Sequence, residues 1–366
     1  MQETDAILTA RREMEICNAC RYCEGFCAVF PAMELRREFT AGDLSYLANL
    51  CHNCRGCYYA CQYAPPHEWG INVPSHFAEV RAESYAEYAW PKPLASVFNR
   101  NGVVVSLMMA LGIAVVLILA MLTNTRAGFF GAADSFYAII PLWAMQVVGI
   151  ATFGYALVAL WMGARNFWRD AGPREKVGAG ATAIALWDVL TLKNLGGGGH
   201  GCNDNSEAFS MRRRWLHHAM FYGFLLCFAS TTSGFVEHTF LGWPAPYPFI
   251  SVPVLLGTIG GVLLLIGTVG LFAMKFVDDP LPNARGLLGA DIALLVLLAM
   301  AALTGLVLLA VRSTGAMGLA LAIHLGFILT LFLVLPYSKM VHGVYRAAAL
   351  VRRAAERHMK PLGGGE

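Results

Sequence analysis

Charged side chains are scarce in this chain of 366 residues: Asp, Glu, Lys and Arg together make up 14% of it, whereas 57% of the residues are hydrophobic. Soluble globular proteins carry roughly 25% charged residues, so the composition argues against a wholly soluble protein and indicates spans in a lipid bilayer. The formal net charge is only +3, and the sequence has no basic face interleaved with aromatic residues. We therefore expect no nucleic-acid partner.

An apolar leader is also lacking. Residues 1–15 mix acidic and basic side chains and contain no apolar core of a signal peptide, so we expect the N-terminal part to stay in the cytoplasm. Cysteines that cluster in such a reducing compartment indicate metal ligands rather than disulfides. Of the ten cysteines, eight lie between Cys17 and Cys61.

These eight cysteines form two copies of the motif C-x2-C-x2-C-x3-C, offset by 34 residues. Arg21 corresponds to Arg55 and Pro31 to Pro65, which indicates an internal duplication. In two-cluster ferredoxins the fourth cysteine of each motif ligates the other cluster. The predicted ligands of two [4Fe–4S] clusters are therefore Cys17, Cys20, Cys23 and Cys61 for cluster 1, and Cys51, Cys54, Cys57 and Cys27 for cluster 2.

Two structural zinc sites are the alternative, because zinc takes four ligands and eight cysteines would suffice. Zinc sites usually pair two C-x2-C knuckles per ion, whereas these motifs are triplets with a trailing fourth cysteine, which favours iron–sulfur clusters. In bacterial ferredoxins a proline directly follows the fourth cysteine, but here Pro31 and Pro65 come four residues later. This spacing suggests a helical relative rather than a ferredoxin itself.

Six apolar runs are long enough to cross a bilayer, which takes roughly 20 residues. Lys and Arg are concentrated in the second-to-third connection, the fourth-to-fifth connection and the C-terminal tail, whereas the opposite loops hold only Arg126 and Arg312. The positive-inside rule therefore places both termini on the cytoplasmic side of the inner (cytoplasmic) membrane. The runs are Val103–Thr123, Tyr137–Gly163, His217–Val236, Ile250–Phe276, Leu287–Val311 and Leu319–Tyr337.

The predicted fold class is mostly α, with a small helical two-cluster domain followed by a six-helix transmembrane bundle. We assign residues 1–90 to a cytoplasmic, ferredoxin-like domain with two [4Fe–4S] clusters, 91–100 to a linker and 101–345 to a membrane domain. A cytoplasmic insert, 164–216, interrupts the membrane domain, and its residues 188–195 are interpreted as a short amphipathic helix. Residues 346–366 are predicted to form a basic cytoplasmic tail.

Four histidines near the ends of two predicted spans form two depth-matched pairs. His324 and His342 are 18 residues apart, about five turns of one helix, so both would face one side roughly 27 Å apart, nearly the bilayer thickness. His217 opens the third span and His238 closes it. Because ionisable residues at a span are functional candidates, we predict one b haem on the cytoplasmic side between His217 and His342, and an outer b haem between His238 and His324.

Several weaker candidates accompany these pairs. His218 is the alternative to His217, which is closer in helical phase to His238, and interfacial histidines satisfied by water are the alternative for every site. Cys202 and Cys227 lack partners in the sequence, and the glycine run 196–199 lacks the strand and the Lys-Ser/Thr of a phosphate loop. A docking surface is the remaining option for that run. Glu237 and Asp291 lie near span ends, where they could handle protons for a quinone, but we interpret them as ordinary interfacial carboxylates.

The duplicated motifs, the segments CQYAPPHEWGINVP (61–74) and LKNLGGGGHGC (192–202), and the His217-His218 pair resemble the tricarballylate/citrate-utilisation protein B family over most of the chain. The resemblance implies a partner, a flavin-dependent tricarballylate dehydrogenase, whose flavin this family reoxidises while passing electrons to the membrane. The membrane half also resembles, more distantly, the gamma subunit of respiratory nitrate reductase and the membrane subunit of heterodisulfide reductase. In those proteins histidines 18 residues apart on one helix bind haems.

These features together predict an electron-transfer component of an oxidoreductase complex, in which electrons from a flavoprotein dehydrogenase pass through the clusters and haems to a membrane quinone. The chain has no flavin motif, so we assign the dehydrogenation to the partner. One alternative, a heterodisulfide-reductase-like membrane oxidoreductase, would need cysteines for a further catalytic cluster. The other, a membrane redox sensor, would have no haem and no quinone reactivity.

Overall fold

The fold is that of a computed structural model, which describes residues 3–124, 129–131, 135–173 and 176–359. Arg126, residues 1–2 and the end of the predicted tail, 360–366, lie outside the described residues. The described chain is mostly α-helical, which confirms the predicted fold class. Within those ranges the only strands are a short antiparallel pair, Cys202–Asn203 with Phe209–Ser210.

Five helices form the part of the chain that carries the cysteine motifs, here called the cluster domain (residues 3–90). Side-chain oxygens of Thr4, Thr40 and Asn72 cap three of them by accepting hydrogen bonds from the backbone N–H three residues later. Such caps satisfy N–H groups that have no partner within the helix. The five helices are Asp5–Cys20, Val29–Met33, Ala41–Leu50, Gly56–Tyr59 and Val73–Tyr88.

Among the described residues, six helices are long and apolar enough to cross a membrane. The chain is therefore a multi-pass membrane protein, and each predicted apolar run falls on one of these helices. Leu142–Ala171 extends further than predicted, because its polar last two turns lie against the cluster domain, where Asp170 accepts a hydrogen bond from Tyr88 (2.5 Å). The six spans are Asn101–Thr123, Leu142–Ala171, Arg212–Thr239, Val252–Val277, Leu288–Val311 and Met317–Val334.

Glycines allow the third and fourth spans to pack with their backbones in close contact. A Cβ added to Gly223 would lie 2.4 Å from the backbone nitrogen of Leu264, and one added to Gly267 would lie 2.4 Å from that of Met220. Small residues at helix interfaces in membranes permit this close approach. The third span, which begins close to the cluster domain, is thereby held firmly in the bundle.

The sixth span and the helix that follows it are not continuous, which differs from the single helix assumed for His324 and His342. The span ends at Val334, short 3-10 segments cover Leu335–Tyr337 and Lys339–Val341, and Ser338 between them is extended (φ −112°, ψ 175°). Pro336 lacks a backbone N–H and obstructs the preceding helical turn, which explains the interruption. Helical phase therefore cannot relate the two histidines.

A C-terminal helix, His342–Met359, follows this break. Its apolar face joins the core of the cluster domain, where Tyr345 stacks on Tyr85 with 5.7 Å between ring centroids. Near its far end Glu356 forms a salt bridge with the mostly buried Arg36 (2.6 Å). The described part of the predicted basic tail is thus a helix packed against the cluster domain.

The insert between the second and third spans contains a helix at Ala179–Leu190 and a 3-10 turn at Lys193–Gly196. The helix begins nine residues before the segment expected from its amphipathic pattern. The glycine run follows directly and leads into the short strand pair. The insert thereby connects the second span to the third through a compact structure rather than an extended loop.

Candidate metal centres

The side chains of Cys17, Cys20, Cys23 and Cys61 line one cavity of about 220 Å³, here called site 1. The first helix ends at Cys20, and Arg21 adopts a left-handed conformation (φ 55°) while its N–H donates to the carbonyl of Cys17 (2.8 Å). This turn folds the chain back so that the first three cysteines line a single cavity. Cys20 is exposed, and site 1 therefore lies at the protein surface.

The side chains of Cys27, Cys51, Cys54 and Cys57 line a second, much smaller cavity of about 20 Å³, here called site 2, together with His52. Cys51 and Cys54 are buried. Each motif thus contributes its fourth cysteine to the cavity lined by the other motif's first three. The structure brings together the two sets of four cysteines that the spacing predicts.

The chemistry of these thiols fits a multi-iron cluster. All ten cysteines are free, and burial together with neighbouring thiols raises the pKa of Cys27 and Cys57 well above the usual value and that of Cys23 to about 12. Such groups become thiolates when bound metal compensates their mutual repulsion. Among the described residues no three His, Cys, Asp or Glu side chains are placed to hold a single ion, but a cubane offers each thiolate a different iron.

Groups from the membrane domain hold the ligand loop of site 2. Carbonyls of the loop Cys51–Cys54 accept hydrogen bonds from Arg346 Nη2 (2.8 Å), from Arg213 Nη1 (2.7 Å) and from the backbone N–H of Asn203 (2.9 Å). These donors come from the C-terminal helix, the start of the third span and the insert. Site 2 is therefore built jointly by the cluster domain and the part of the chain that follows the first span.

Arg55 anchors the same loop, a role that no sequence pattern indicates. Its side chain is 1% exposed, and its guanidinium donates to the carbonyl of Asp204 (2.6 Å), the carboxylate of Asp278 (2.8 Å) and the side chain of Asn283 (2.8 Å). A buried arginine is tolerated only when it is paired in this way. The left-handed conformation of Arg55 (φ 66°) directs it toward these partners.

The glycine run also contributes to site 2. Gly197, Gly199 and Gly201 have positive φ angles of 61°, 112° and 118°, which favour glycine. A Cβ on Gly198 would lie 2.8 Å from the carbonyl oxygen of Phe26, the residue before Cys27. The run is therefore a tight backbone cover over the ligand loops, and neither glycine spacing nor composition indicates this contact.

His217 and His342 meet next to site 2. Their ring centroids are 6.3 Å apart and the rings are nearly perpendicular, at 85°. A metal–imidazole nitrogen bond is about 2.0 Å, and the ring centroid lies about 1.1 Å behind that nitrogen, so two imidazoles on opposite sides of one metal have centroids about 6 Å apart. The observed distance would allow both rings to hold one metal.

The ring nitrogens of this pair support the same interpretation. His342 Nδ1 lies 2.5 Å from the carbonyl oxygen of Lys339, which fixes the ring and leaves Nε2 free. Burial lowers the pKa of His342 to about 3, with Arg346 contributing, so the imidazole is neutral as a metal ligand must be. His217 Nδ1 is buried without a hydrogen-bond partner, a costly arrangement unless a further group binds there.

His218, the alternative to His217, is already occupied. Its Nδ1 lies 3.0 Å from the carbonyl oxygen of Arg214 and its Nε2 lies 3.1 Å from that of Thr191. The ring is also stacked parallel to Tyr222. With both nitrogens held by backbone oxygens, His218 fixes the insert to the third span, and the geometry favours His217 as the ligand.

The outer pair is arranged differently. His238 lies against the ring of Tyr137 (4.9 Å between centroids), and its Nδ1 is buried without a hydrogen-bond partner. His324 Nδ1 lies 3.1 Å from Thr304 Oγ1, which orients the ring and leaves Nε2 free. Of the two predicted pairs, the described residues bring only the first into ring contact, but the free nitrogens of the second also suit a ligand.

His52 lies between site 2 and the first histidine pair. It lines the site 2 cavity, and its Nδ1 lies 2.8 Å from the carbonyl oxygen of Leu50. Burial lowers its pKa, and the nearby Arg346 adds to this effect. Arg346 donates to the carbonyl of Cys51 (2.8 Å) and lies one turn after His342 on the same helix, so site 2 and the pair of His217 and His342 are neighbours.

Asp291 is a buried anion rather than an ordinary interfacial carboxylate. It is 9% exposed and forms salt bridges with both Lys275, from the fourth span, and Lys339, from the break after the sixth span. Neither lysine is close to Asp291 in sequence, so no local pattern reveals this network. It fixes the segment that carries the carbonyl partner of His342.

Comparisons with known proteins agree with these features. The family described as "Citrate utilization protein B" matches residues 95–362, and the family described as "Citrate utilization protein B Fer4-like domain" matches residues 10–87. The "Citrate utilization protein B" of Escherichia coli is 46% identical over 358 residues, which cover 97% of this chain and 93% of that protein. No solved structure matches the chain.

Proposed function

The chain belongs to the citrate utilization protein B family, and from this premise we propose that it is a membrane electron-transfer protein that reoxidises a flavin-dependent dehydrogenase. Electrons pass through two [4Fe–4S] clusters and two b haems to a membrane quinone. The substrate of the partner dehydrogenase is tricarballylate, as the family resemblance implies. The dehydrogenation itself takes place on the partner.

The two cavities lined by cysteines support the cluster assignment. Cys17, Cys20, Cys23 and Cys61 hold the cluster at site 1, and the cysteines of site 2 are Cys27, Cys51, Cys54 and Cys57. Bound clusters supply one-electron carriers with potentials set by burial and hydrogen bonding. The protein keeps water away from site 2 and positions its ligand loop through the arginines described above.

The single observation that carries the onward path is the contact between His217 and His342 beside site 2. Two neutral imidazoles that face each other from different helices, one with an unpartnered buried nitrogen, are suited to hold a haem. His238 and His324 would hold the second one near the opposite face. A haem supplies a further one-electron carrier, and the protein's part is to fix the rings through Lys339 and Thr304.

The proposed orientation places the cluster domain and both termini in the cytoplasm, where a soluble flavoprotein can reach them. The charge bias of the loops supports this topology. Arg213 and Arg346 lie at the same end of the bundle as the cluster domain, as that bias requires. The inner membrane is the corresponding location.

A count of redox groups tests the proposal. The full-length protein is purified in detergent, non-haem iron and acid-labile sulfide are measured, and a reduced-minus-oxidised spectrum is recorded. About eight non-haem irons with b-type bands are expected, and reduced tricarballylate dehydrogenase should bleach the cluster absorbance. Zinc in place of iron would reject the clusters. Iron without b-type bands would remove the haems, and no reduction by the flavoprotein would favour a redox sensor.

A further inference from the structure

The internal duplication places Arg21 and Arg55 at equivalent positions, each following the second cysteine of its motif. Both adopt the left-handed conformation, with φ angles of 55° and 66°. The two motifs therefore turn in the same way and present an arginine from the same point of the turn. The cluster domain consequently has two related faces, one beside each site.

The face beside site 2 is occupied by the rest of the same chain. Arg55 is buried there against Asp278, Asn283 and the carbonyl of Asp204. Tyr59, four residues later, donates a hydrogen bond to Asp279 (2.7 Å). The covering surface thus offers carboxylates to the arginine and to the tyrosine of the second motif.

The face beside site 1 is exposed. Arg21 is exposed, and its Nε donates to the carbonyl of Asn18 on the preceding helix (3.0 Å). Tyr22 next to it is 68% exposed, and Cys20 is exposed as well. The described residues that line the site 1 cavity all belong to the cluster domain, so the described part of the membrane domain does not line this site.

From this asymmetry we propose that the face around Cys20, Arg21 and Tyr22 is the docking surface for the soluble flavoprotein donor, and that electrons enter at site 1 and leave through site 2. The donor presents a carboxylate to Arg21, as this chain presents Asp278 to Arg55. This inference rests on the proposed function. It adds the place where the donor binds and the order in which the two sites are used.

The position of the histidine pair sets the direction. Arg346 donates a hydrogen bond to the carbonyl of Cys51 at site 2 (2.8 Å) and lies one helical turn after His342, whereas site 1 faces outward. An electron that arrives at site 1 therefore reaches the membrane carriers by way of site 2. The reduced flavin on the donor gives up two electrons, one at a time, and its protons go to solvent. Each cluster accepts one electron and no proton.

The charge of the face limits how the donor is recognised. Glu24 is exposed on the same turn, and Glu34 is close enough to Arg21 for the two to interact. The surface is therefore mixed in sign, and Arg21 supplies an exposed guanidinium on it. We expect recognition through one specific arginine–carboxylate contact, which gives a bidentate geometry that lysine does not reproduce.

The test compares two reductants on the full-length protein in detergent, by stopped-flow measurement of haem reduction. With reduced tricarballylate dehydrogenase as donor, Arg21→Glu should slow reduction about 10-fold or more, since reversing a charge at the rim of an interface mainly lowers the association rate. Dithionite, which needs no docking, should reduce this variant at the wild-type rate. Lys193→Glu, a matched reversal of an exposed cation on the insert, should behave like the wild type with both reductants.

A second variant tests the order of the sites. Cys20→Ser should lose the site 1 cluster, which would halve the non-haem iron content. The variant should no longer be reduced by the flavoprotein, whereas dithionite should still reduce its haems. The inference is overturned if Arg21→Glu keeps the wild-type rate with the flavoprotein, if Lys193→Glu is the slower variant, or if Cys20→Ser still accepts flavoprotein electrons. A wild-type protein that takes no electrons from the flavoprotein would instead reject the proposed function.

Discussion

The rings of His217 and His342 lie 6.3 Å apart between centroids and almost at right angles. This separation would allow both imidazoles to hold one metal, so we expect the two residues to share one haem. His217→Ala and His342→Ala should each remove the same b-type band, and the double variant should remove no more than either single one. Reduced-minus-oxidised spectra with a haem-to-protein ratio measure this.

His218→Ala is the matched control for that prediction. Both ring nitrogens of His218 already contact backbone oxygens, so its loss should leave the haem content unchanged. His324→Ala and His238→Ala should remove the other band. If His218→Ala abolished the band that His217→Ala leaves intact, the assignment of the third-span ligand would be wrong.

Cys27 and Cys61 provide a test of cross-ligation. Cys27 lines the cavity of the second motif and Cys61 that of the first. Cys27→Ser should therefore produce the same loss of electron paramagnetic resonance signal as Cys54→Ser, and Cys61→Ser the same loss as Cys20→Ser. Signals that grouped Cys27→Ser with Cys20→Ser would show that each motif holds its own cluster.

The parts of this structure that could be predicted from sequence are those encoded by nearby residues. The spacing from Cys17 to Cys27 and the length of each apolar run are local patterns, and they are sufficient to predict the cysteine sets and six spans. The role of Arg55 could not be predicted, because Asp278 is 223 residues away. Pro336 is a sequence signal for the break before His342, because proline interrupts a helix, and the prediction of one continuous helix through His324 and His342 was wrong.

Asp291 gives a prediction about stability. Asp291→Asn leaves Lys275 and Lys339 side by side without a counter-charge. Removing one partner of a fully buried ion pair costs about 3–5 kcal/mol. We expect the free energy of unfolding to fall by a smaller amount, about 2 kcal/mol, because the Lys339 side chain is 40% exposed. Thermal unfolding in detergent measures it. Glu237→Gln changes a half-buried acidic residue near the opposite end of the bundle and should have little effect, and equal effects of both variants would contradict the network.

Substitutions of Arg55 and Arg21, which occupy equivalent positions in the two motifs, test what holds the cluster domain against the rest of the chain. Arg55→Ala removes the partner of Asp278 and leaves that carboxylate buried, so we expect a loss of about 3 kcal/mol and faster cleavage between the cluster domain and the first span in limited proteolysis. Arg21→Ala, at the equivalent exposed position, should change neither measurement. Equal resistance of both variants to proteolysis would show that the contact between the cluster domain and the rest of the chain does not depend on Arg55.

His76 should make the stability of the cluster domain depend on pH. A hydrogen bond to the buried Glu13 (2.9 Å) raises the pKa of His76. Because the folded pKa is higher than that of the unfolded chain, about 6.5, the stabilisation is fully present below that value and is lost as pH rises through the raised one. His76→Gln should lower the unfolding free energy by about 1–2 kcal/mol at pH 6 and by much less at pH 9. His67→Gln is the control, since the His67 ring contacts Tyr63 and Trp69 instead. If the difference in unfolding free energy between the wild type and His76→Gln stayed constant from pH 6 to pH 9, His76 and Glu13 would not form an ion pair.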